Sequence, residues 1–169
     1  MDWYSRELTE ADAVWILDAF RGEDMARQGT VVDMATAAEY IAAVMRPATR
    51  HRVAAERETD RVLAFVGASI DGDNRSAWIY YWSIPSVRGA HITSTLVRDF
   101  SSDLLRGGLD RLELGFRTNN PASRRVAERA GFVVEGLERE KFLIDGTRVD
   151  VVTCGRLPSD PWPAESALR

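Results

Sequence analysis

The sequence predicts an α/β domain in which a mixed β-sheet carries helices on both faces. Runs with the two-residue period of strands alternate with runs that have the period of amphipathic helices. The two longest strand-like runs, 61–70 and 75–84, are apolar on both faces, as central strands covered on both sides are. The helical run after 75–84 leads to another strand, which is the pattern of a crossover between parallel strands.

Composition limits the class of protein. The chain has 169 residues, of which 45% are hydrophobic and 28% charged, as expected for one globular domain. We expect the domain to span 1–157 and a C-terminal tail to span 158–169. The formal charge of −4 argues against a nucleic-acid partner bound through its phosphates. A single cysteine, Cys154, excludes an internal disulfide and a cysteine metal cluster, so no metal site is predicted.

The sequence also predicts a cytoplasmic protein. One cysteine suits a reducing compartment. No apolar run approaches the length of a membrane span, and the first residues lack the basic and apolar regions of an export signal. We therefore expect no membrane partner.

Two helices are predicted before the main sheet. A short strand over 3–8 precedes Thr9, which begins an amphipathic helix over 10–21. The polar segment 22–33 has no clear period and is predicted to be a loop at the border of a groove. Asp33 is then expected to cap a second helix that runs through Met45.

A three-stranded antiparallel meander is predicted next. Its strands are 52–56, 61–70 and 75–84, and the polar turns 57–60 and 71–74 join them. An amphipathic helix follows, and alternation over 111–116 then predicts a strand parallel to the third strand of the meander.

The chain is predicted to end with a helix and a hairpin. Asn120 and Pro121 suit the N-cap and the first turn of a helix. The hairpin spans 133–157 and turns at Asp145 and Gly146. No repeat or linker divides the chain.

The stretch from Tyr80 to Phe100 is suited to binding a phosphate. Its strand stops at Pro85, passes through Arg88 and Gly89, and enters a helix. Such a junction directs unpaired N–H groups and the positive end of the helix dipole at one point in space. The alternative is an ordinary strand-to-helix connection, which any α/β domain contains.

Two segments resemble a known family. W-S-I-P-x-x-R-G-x-x-I-T, from Trp82 to Thr93, is similar to the acetyl-CoA pyrophosphate loop of the GNAT N-acetyltransferases. N-N-P-A-S-R-R-V-A-E-R-A-G-F-V-V-E-G, from Asn119 to Gly136, resembles the N-x-x-S helix, A-G-F and E-G of the RimJ/RimL-type group. The resemblance implies a mostly antiparallel GNAT-like sheet with a V-shaped splay between its two central parallel strands.

The resemblance also implies acetyl-CoA as co-substrate. The strand backbone would pair with pantetheine, the loop amides would hold the pyrophosphate, and Asn120 would contact the pantetheine. The implied cofactor-binding residues are Trp82, Ser83, Ile84, Val87, Arg88, Gly89, Ala90, His91, Ile92, Thr93, Asn120 and Ser123. One departure is His91, which stands where the family usually has the second glycine of the loop.

Three residues are candidates for catalysis. The Ser123 hydroxyl would protonate the leaving thiolate, and Glu113 or Glu138 would serve as the general base. Each also has a structural interpretation, since Ser123 can bond back to its helix and the two glutamates can be surface or cross-strand charges. Cys154 lies among apolar strand residues and is expected to be an inert thiol.

The sequence leaves two functions open. The first is transfer of an acetyl group from acetyl-CoA to a primary amine, on a protein N-terminus or a small molecule, by direct attack in a ternary complex. The second is a non-catalytic acyl-CoA-binding sensor or degenerate homologue, suggested by His91 and by the lack of a clear base. Glu23 and Asp24 would suit a cationic acceptor. A homodimer is possible.

Overall fold

The computed structural model describes residues 1–22, 25 and 28–163. Strands and helices follow the predicted order β-α-α-β-β-β-α-β-α-β-β. The strands are β1 (Trp3–Arg6), β2 (Thr49–Glu56), β3 (Val62–Asp71), β4 (Ser76–Ser83), β5 (Arg111–Arg117), β6 (Val133–Ile144) and β7 (Thr147–Arg156). The helices are α1 (Ala13–Ala19), α2 (Met34–Val44), α3 (Ile92–Arg106) and α4 (Pro121–Arg129).

The described strands form one mixed sheet in the order β1-β2-β3-β4-β5-β7-β6. All neighbouring pairs are antiparallel except β4 and β5, so the predicted parallel pair is confirmed. The register of that pair is short, because Ser76–Trp78 faces Arg111–Glu113 and the ladder then stops. The remainder of β4 and β5 separates, which opens the predicted splay.

The two faces of the sheet carry different helices. Trp82 donates its indole N–H to the Tyr40 hydroxyl of α2 at 2.9 Å and stacks on Phe65 with 5.7 Å between ring centroids. Because side chains alternate along a strand, Tyr81 points to the opposite face, where its hydroxyl meets Ser123 of α4. The open end of the sheet is therefore reached by α2 from one face and by α4 from the other.

The first predicted helix is divided in two. A 3-10 turn spans Glu10–Asp12, and α1 itself begins at Ala13. The cause is Asp12, whose carboxylate accepts two 2.7 Å bonds from Arg6 and a 2.8 Å bond from the Thr9 N–H. Those bonds tighten the first turn, so the regular helix starts later than its apolar period suggests.

The second predicted helix agrees with the structure. The Asp33 carboxylate accepts from the Thr36 N–H at 2.8 Å and caps α2, as predicted. β2 begins at Thr49, earlier than predicted, because the polar residues at its start pair with β3. No helix in the described part of the chain is long and apolar enough to cross a membrane.

Candidate active site

The cleft between β4 and β5 offers free backbone groups along one of its walls. The Ile84 N–H donates to the Leu63 carbonyl of β3 at 3.0 Å. Backbone groups alternate in direction along a strand, so the N–H and C=O of Tyr81 and Ser83 point away from β3 and into the opening. The cleft has a volume of about 540 Å³. An extended polar ligand can therefore hydrogen-bond to β4 as a neighbouring strand would.

The loop after β4 leads from this wall to the start of α3. A 3-10 turn over Pro85–Val87 is followed by Gly89, which has a φ of 83° and open space where a Cβ would stand. No side chain caps α3, so the N–H groups of its first turn lack acceptors within the helix. This 15-residue helix thus presents donors and its positive end to the cleft.

His91 occupies the position before α3 in a left-handed conformation, with φ 64° and ψ 0°. A glycine adopts this conformation without strain, whereas a histidine adopts it rarely. Its ring Nδ1 accepts a hydrogen bond from the Arg129 guanidinium of α4. The bond joins the loop to α4 across the mouth of the cleft.

The first turn of α4 forms the opposite wall. The Asn120 side-chain oxygen accepts from the Ser123 N–H at 3.1 Å, so Asn120 is the N-cap that the sequence predicts. The Tyr81 hydroxyl donates to the Ser123 carbonyl oxygen at 3.3 Å, and burial raises the pKa of Tyr81 to about 12. A side-chain hydrogen bond with Ser123 partly offsets this rise in the pKa of Tyr81, so the two hydroxyls lie next to each other.

The charged side chains along the cleft are basic. They are Arg88, Arg117, Arg125 and Arg129, and no described residue of the lining is an aspartate or glutamate. Arg125 and Arg129 lie one turn apart on α4, on the same stripe as Ala122 and Val126. The cleft therefore complements an anionic ligand.

Most of the predicted coenzyme residues meet at this cleft. Those that line it are Trp82, Ser83, Val87, Arg88, Gly89, His91, Thr93, Asn120 and Ser123. Ile84, Ala90 and Ile92 are not part of the lining. Ile84 and Ile92 are buried in the core, and the Ile84 N–H is bonded to β3.

The two predicted bases lie elsewhere. Glu113 accepts a 2.7 Å bond from Arg111 on the paired part of β5, and Glu138 pairs with Lys141 on the edge strand β6. Neither residue lines the cleft. Glu23 and Asp24 are outside the described residues.

Sequence reasoning missed several residues of the lining, chiefly Tyr81, Arg117, Arg125 and Arg129. The two α4 arginines were detectable, since they share a helical stripe with Val126. Cys154 is buried, and burial raises the pKa of its thiol, which keeps it protonated and unreactive at neutral pH.

A splayed parallel pair, an uncapped helix start and a basic cleft together suit an extended, phosphate-bearing ligand. The model of the Acetyltransferase (GNAT) domain matches residues 5–133. The chain belongs to the GNAT acetyltransferase family.

Solved structures confirm the fold. The ribosomal-protein alpha-N-acetyltransferase RimL, in complex with coenzyme A, has a TM-score of 0.82 at 19% identity, over 92% of this chain and 93% of RimL. A spermidine N-acetyltransferase SpeG chimera from Vibrio cholerae and hSSAT has a TM-score of 0.80 at 22% sequence identity. The match covers 93% of this chain and 96% of the chimera. The ribosomal-protein-S5-alanine acetyltransferase from Vibrio fischeri has a TM-score of 0.79 at 16% sequence identity, and the match covers 97% of each chain. No curated protein sequence matches the chain.

Proposed function

We propose that the protein transfers an acetyl group from acetyl-CoA to a primary amine by direct attack in a ternary complex. The observation that carries the proposal is the opening between β4 and β5, where the backbone groups of Tyr81 and Ser83 lead to the uncapped start of α3. Family membership and the RimL complex with coenzyme A support the same ligand.

The residues of the cleft fit the parts of coenzyme A. The backbone of Tyr81 and Ser83 suits the amide groups of pantetheine, and the first-turn N–H groups of α3 suit the diphosphate. Arg125 and Arg129 add cations on the facing helix. The coenzyme supplies the acetyl group as a thioester.

The wall of β4 can also stabilise the charge that develops on the acetyl oxygen. The Tyr81 N–H is fixed by the sheet, so it can donate to that oxygen without moving, which leaves the Tyr81 C=O and the Ser83 backbone for pantetheine. Main-chain donors of this kind leave no side-chain signature, which is why the sequence cannot locate them.

Ser123 is assigned as the proton donor to sulfur. Ser123 lines the cleft beside Tyr81, whose own hydroxyl proton is donated to a carbonyl oxygen. The amine nitrogen forms a bond to the acetyl carbon, the carbon–sulfur bond breaks, and the sulfur receives the Ser123 proton. The proton lost by the amine passes to water and restores Ser123 through solvent.

Only the neutral form of the amine carries the lone pair that attacks, and no described residue of the lining is a carboxylate that could deprotonate the ammonium form. An unperturbed alkylamine has a pKa of about 10.4, like that of lysine, so the neutral fraction rises about tenfold per pH unit below that value. The rate at limiting amine concentration should rise with pH in the same way.

A thermal-shift titration with acetyl-CoA, combined with thiol release over a panel of primary amines, tests the proposal. We expect stabilisation by acetyl-CoA and thiol release that requires an amine. Stabilisation without turnover on any amine would instead support the acyl-CoA-binding sensor, and no stabilisation would contradict both functions.

A further inference from the structure

Arg117 lines the cleft from the end of β5. The register pairs Trp78 with Glu113, so their side chains share the face that carries α2. Gly115 also belongs to this face of the sheet, because a Cβ at Gly115 would stand 3.2 Å from the Trp78 ring. Arg117 is two residues further along β5 and therefore points to this face as well.

The phosphate-binding elements approach from the other face. α4 lies on that side, as the Tyr81–Ser123 bond demonstrates, and Arg129 reaches the loop through His91. A coenzyme held by these elements leaves the α2 side of the opening for the second substrate. Arg117 and the α4 arginines thus line the same cleft from opposite faces of the sheet.

The guanidinium of Arg117 makes no hydrogen bond or ion pair with any residue in the described ranges. It is half-buried, and Met25, Gln28 and Trp82, which line the same cleft, carry no charge. A half-buried guanidinium without a described protein partner keeps its donors available for an anion that a ligand supplies. Its five donors match a carboxylate in a bidentate pair.

We propose that the acceptor is a primary amine that also carries a carboxylate, which Arg117 binds. The inference rests on the proposed function and names its substrate class. A polyamine would place further positive charge among the arginines of the cleft, where like charges repel, and would find no described carboxylate there. Free amino acids and acidic peptide N-termini share the required chemistry.

Steady-state kinetics with matched acceptors tests this inference. One arm compares a free amino acid with its amide, and a second compares the dipeptides Asp-Ala and Asn-Ala, each as the C-terminal amide. Arg117→Gln removes the charge, Arg117→Lys retains it without the bidentate geometry, and Arg46→Gln removes a charge from an exposed site outside the cleft. The readout is the ratio of kcat/KM for the acid to that for its amide.

In the wild type we expect an acid-to-amide ratio of at least ten in one arm. A high ratio in the first arm identifies the α-carboxylate of a free amino acid, and a high ratio in the second identifies the side-chain carboxylate of an acidic peptide N-terminus. Arg117→Gln should lower that ratio at least tenfold and leave the KM for acetyl-CoA within about twofold. The acid-to-amide ratio of Arg117→Lys should lie between those of Arg117→Gln and the wild type. The ratio of Arg46→Gln should equal that of the wild type. Comparing ratios between variants cancels the different basicities of acid and amide.

Three results would overturn the inference. They are a ratio near one in both arms, a preference for polyamines over acidic amines, and an Arg117→Gln variant that raises the KM for acetyl-CoA instead. Each leaves the proposed acetyl transfer intact, because each requires turnover. Failure of the proposed function would be the absence of acetyl-CoA binding or of all turnover.

Discussion

The Tyr81 hydroxyl donates to the Ser123 carbonyl oxygen across 3.3 Å, which joins β4 to the first turn of α4 where β4 leaves β5. This bond commits the Tyr81 hydroxyl proton to a carbonyl oxygen, so the neighbouring Ser123 hydroxyl is the one assigned to protonate sulfur. The two residues should therefore respond differently to substitution.

Ser123→Ala should lower kcat at least tenfold with little change in the KM for acetyl-CoA, because it removes the proton donor. Tyr81→Phe should instead reduce the free energy of unfolding by about 1 kcal/mol, the usual contribution of one hydrogen bond, and change kcat less than threefold. Initial rates and denaturant titrations of both variants check this. Equal kcat losses would contradict the assignment to Ser123.

His91→Gly should stabilise the protein relative to His91→Ala by about 1 kcal/mol. Both variants lose the bond from Arg129, but only glycine adopts the left-handed backbone without strain. The KM for acetyl-CoA should stay within threefold of wild type in His91→Gly. A tenfold rise in both variants would instead make the imidazole a ligand of the coenzyme.

Ser83→Pro should abolish acetyl-CoA binding in a folded protein. Proline removes the Ser83 N–H that points into the cleft, but this N–H is not one of the donors to β3. Calorimetric titration with coenzyme A and far-ultraviolet circular dichroism check binding and folding. Ser83→Ala is the matched control and should bind normally, and a folded proline variant that also binds normally would contradict the role of the β4 backbone.

Asp12→Asn should destabilise the fold by about 2 kcal/mol at neutral pH, through weakened charge-assisted bonds to Arg6. Burial raises the pKa of Asp12, but the bonds from Arg6 and Thr9 outweigh it and hold the pKa below its usual value. A lowered pKa gives stability that is complete above the unfolded value of about 3.9 and is lost as pH falls through the folded value.

The difference in unfolding free energy between wild type and Asp12→Asn should therefore shrink below about pH 4. Asp73→Asn, in an exposed turn, is the control and should change stability by less than about 0.5 kcal/mol. Denaturant titrations at neutral and acidic pH provide the comparison. A difference that stays constant down to pH 2 would contradict the role of the Arg6–Asp12 pair.

Local patterns predicted most of the fold. Alternation located β3 and β4, and the capping residues Asp33 and Asn120 located the starts of α2 and α4. The loop before α3 could also be located from the sequence, because Pro85 and Gly89 mark the junction between a strand and a helix. Its hydrogen-bond donors belong to the backbone, so they follow from that junction and need no particular side chain. The 3-10 turn at Glu10–Asp12 was missed because its cause is the side-chain pair of Asp12 with Arg6, which hydrophobic periodicity does not show.

The rest of the site depends on contacts that local patterns do not contain. Glu113 was a candidate base by residue type, but only the folded sheet shows that Arg111 pairs with it away from the cleft. The face of the sheet to which Arg117 points depends on the register of β4 and β5. The exposure of the Tyr81 backbone to the cleft depends on where the β4–β5 ladder ends. These are long-range relationships.

A crystal structure with coenzyme A bound tests the central claim most directly. We predict pantetheine in the opening between β4 and β5, bonded to the backbone of Ser83, with the diphosphate on the first-turn amides of α3 and the thiol beside Ser123. A coenzyme bound outside this opening, or a β4–β5 ladder that continues beyond Trp78 and closes it, would contradict the account.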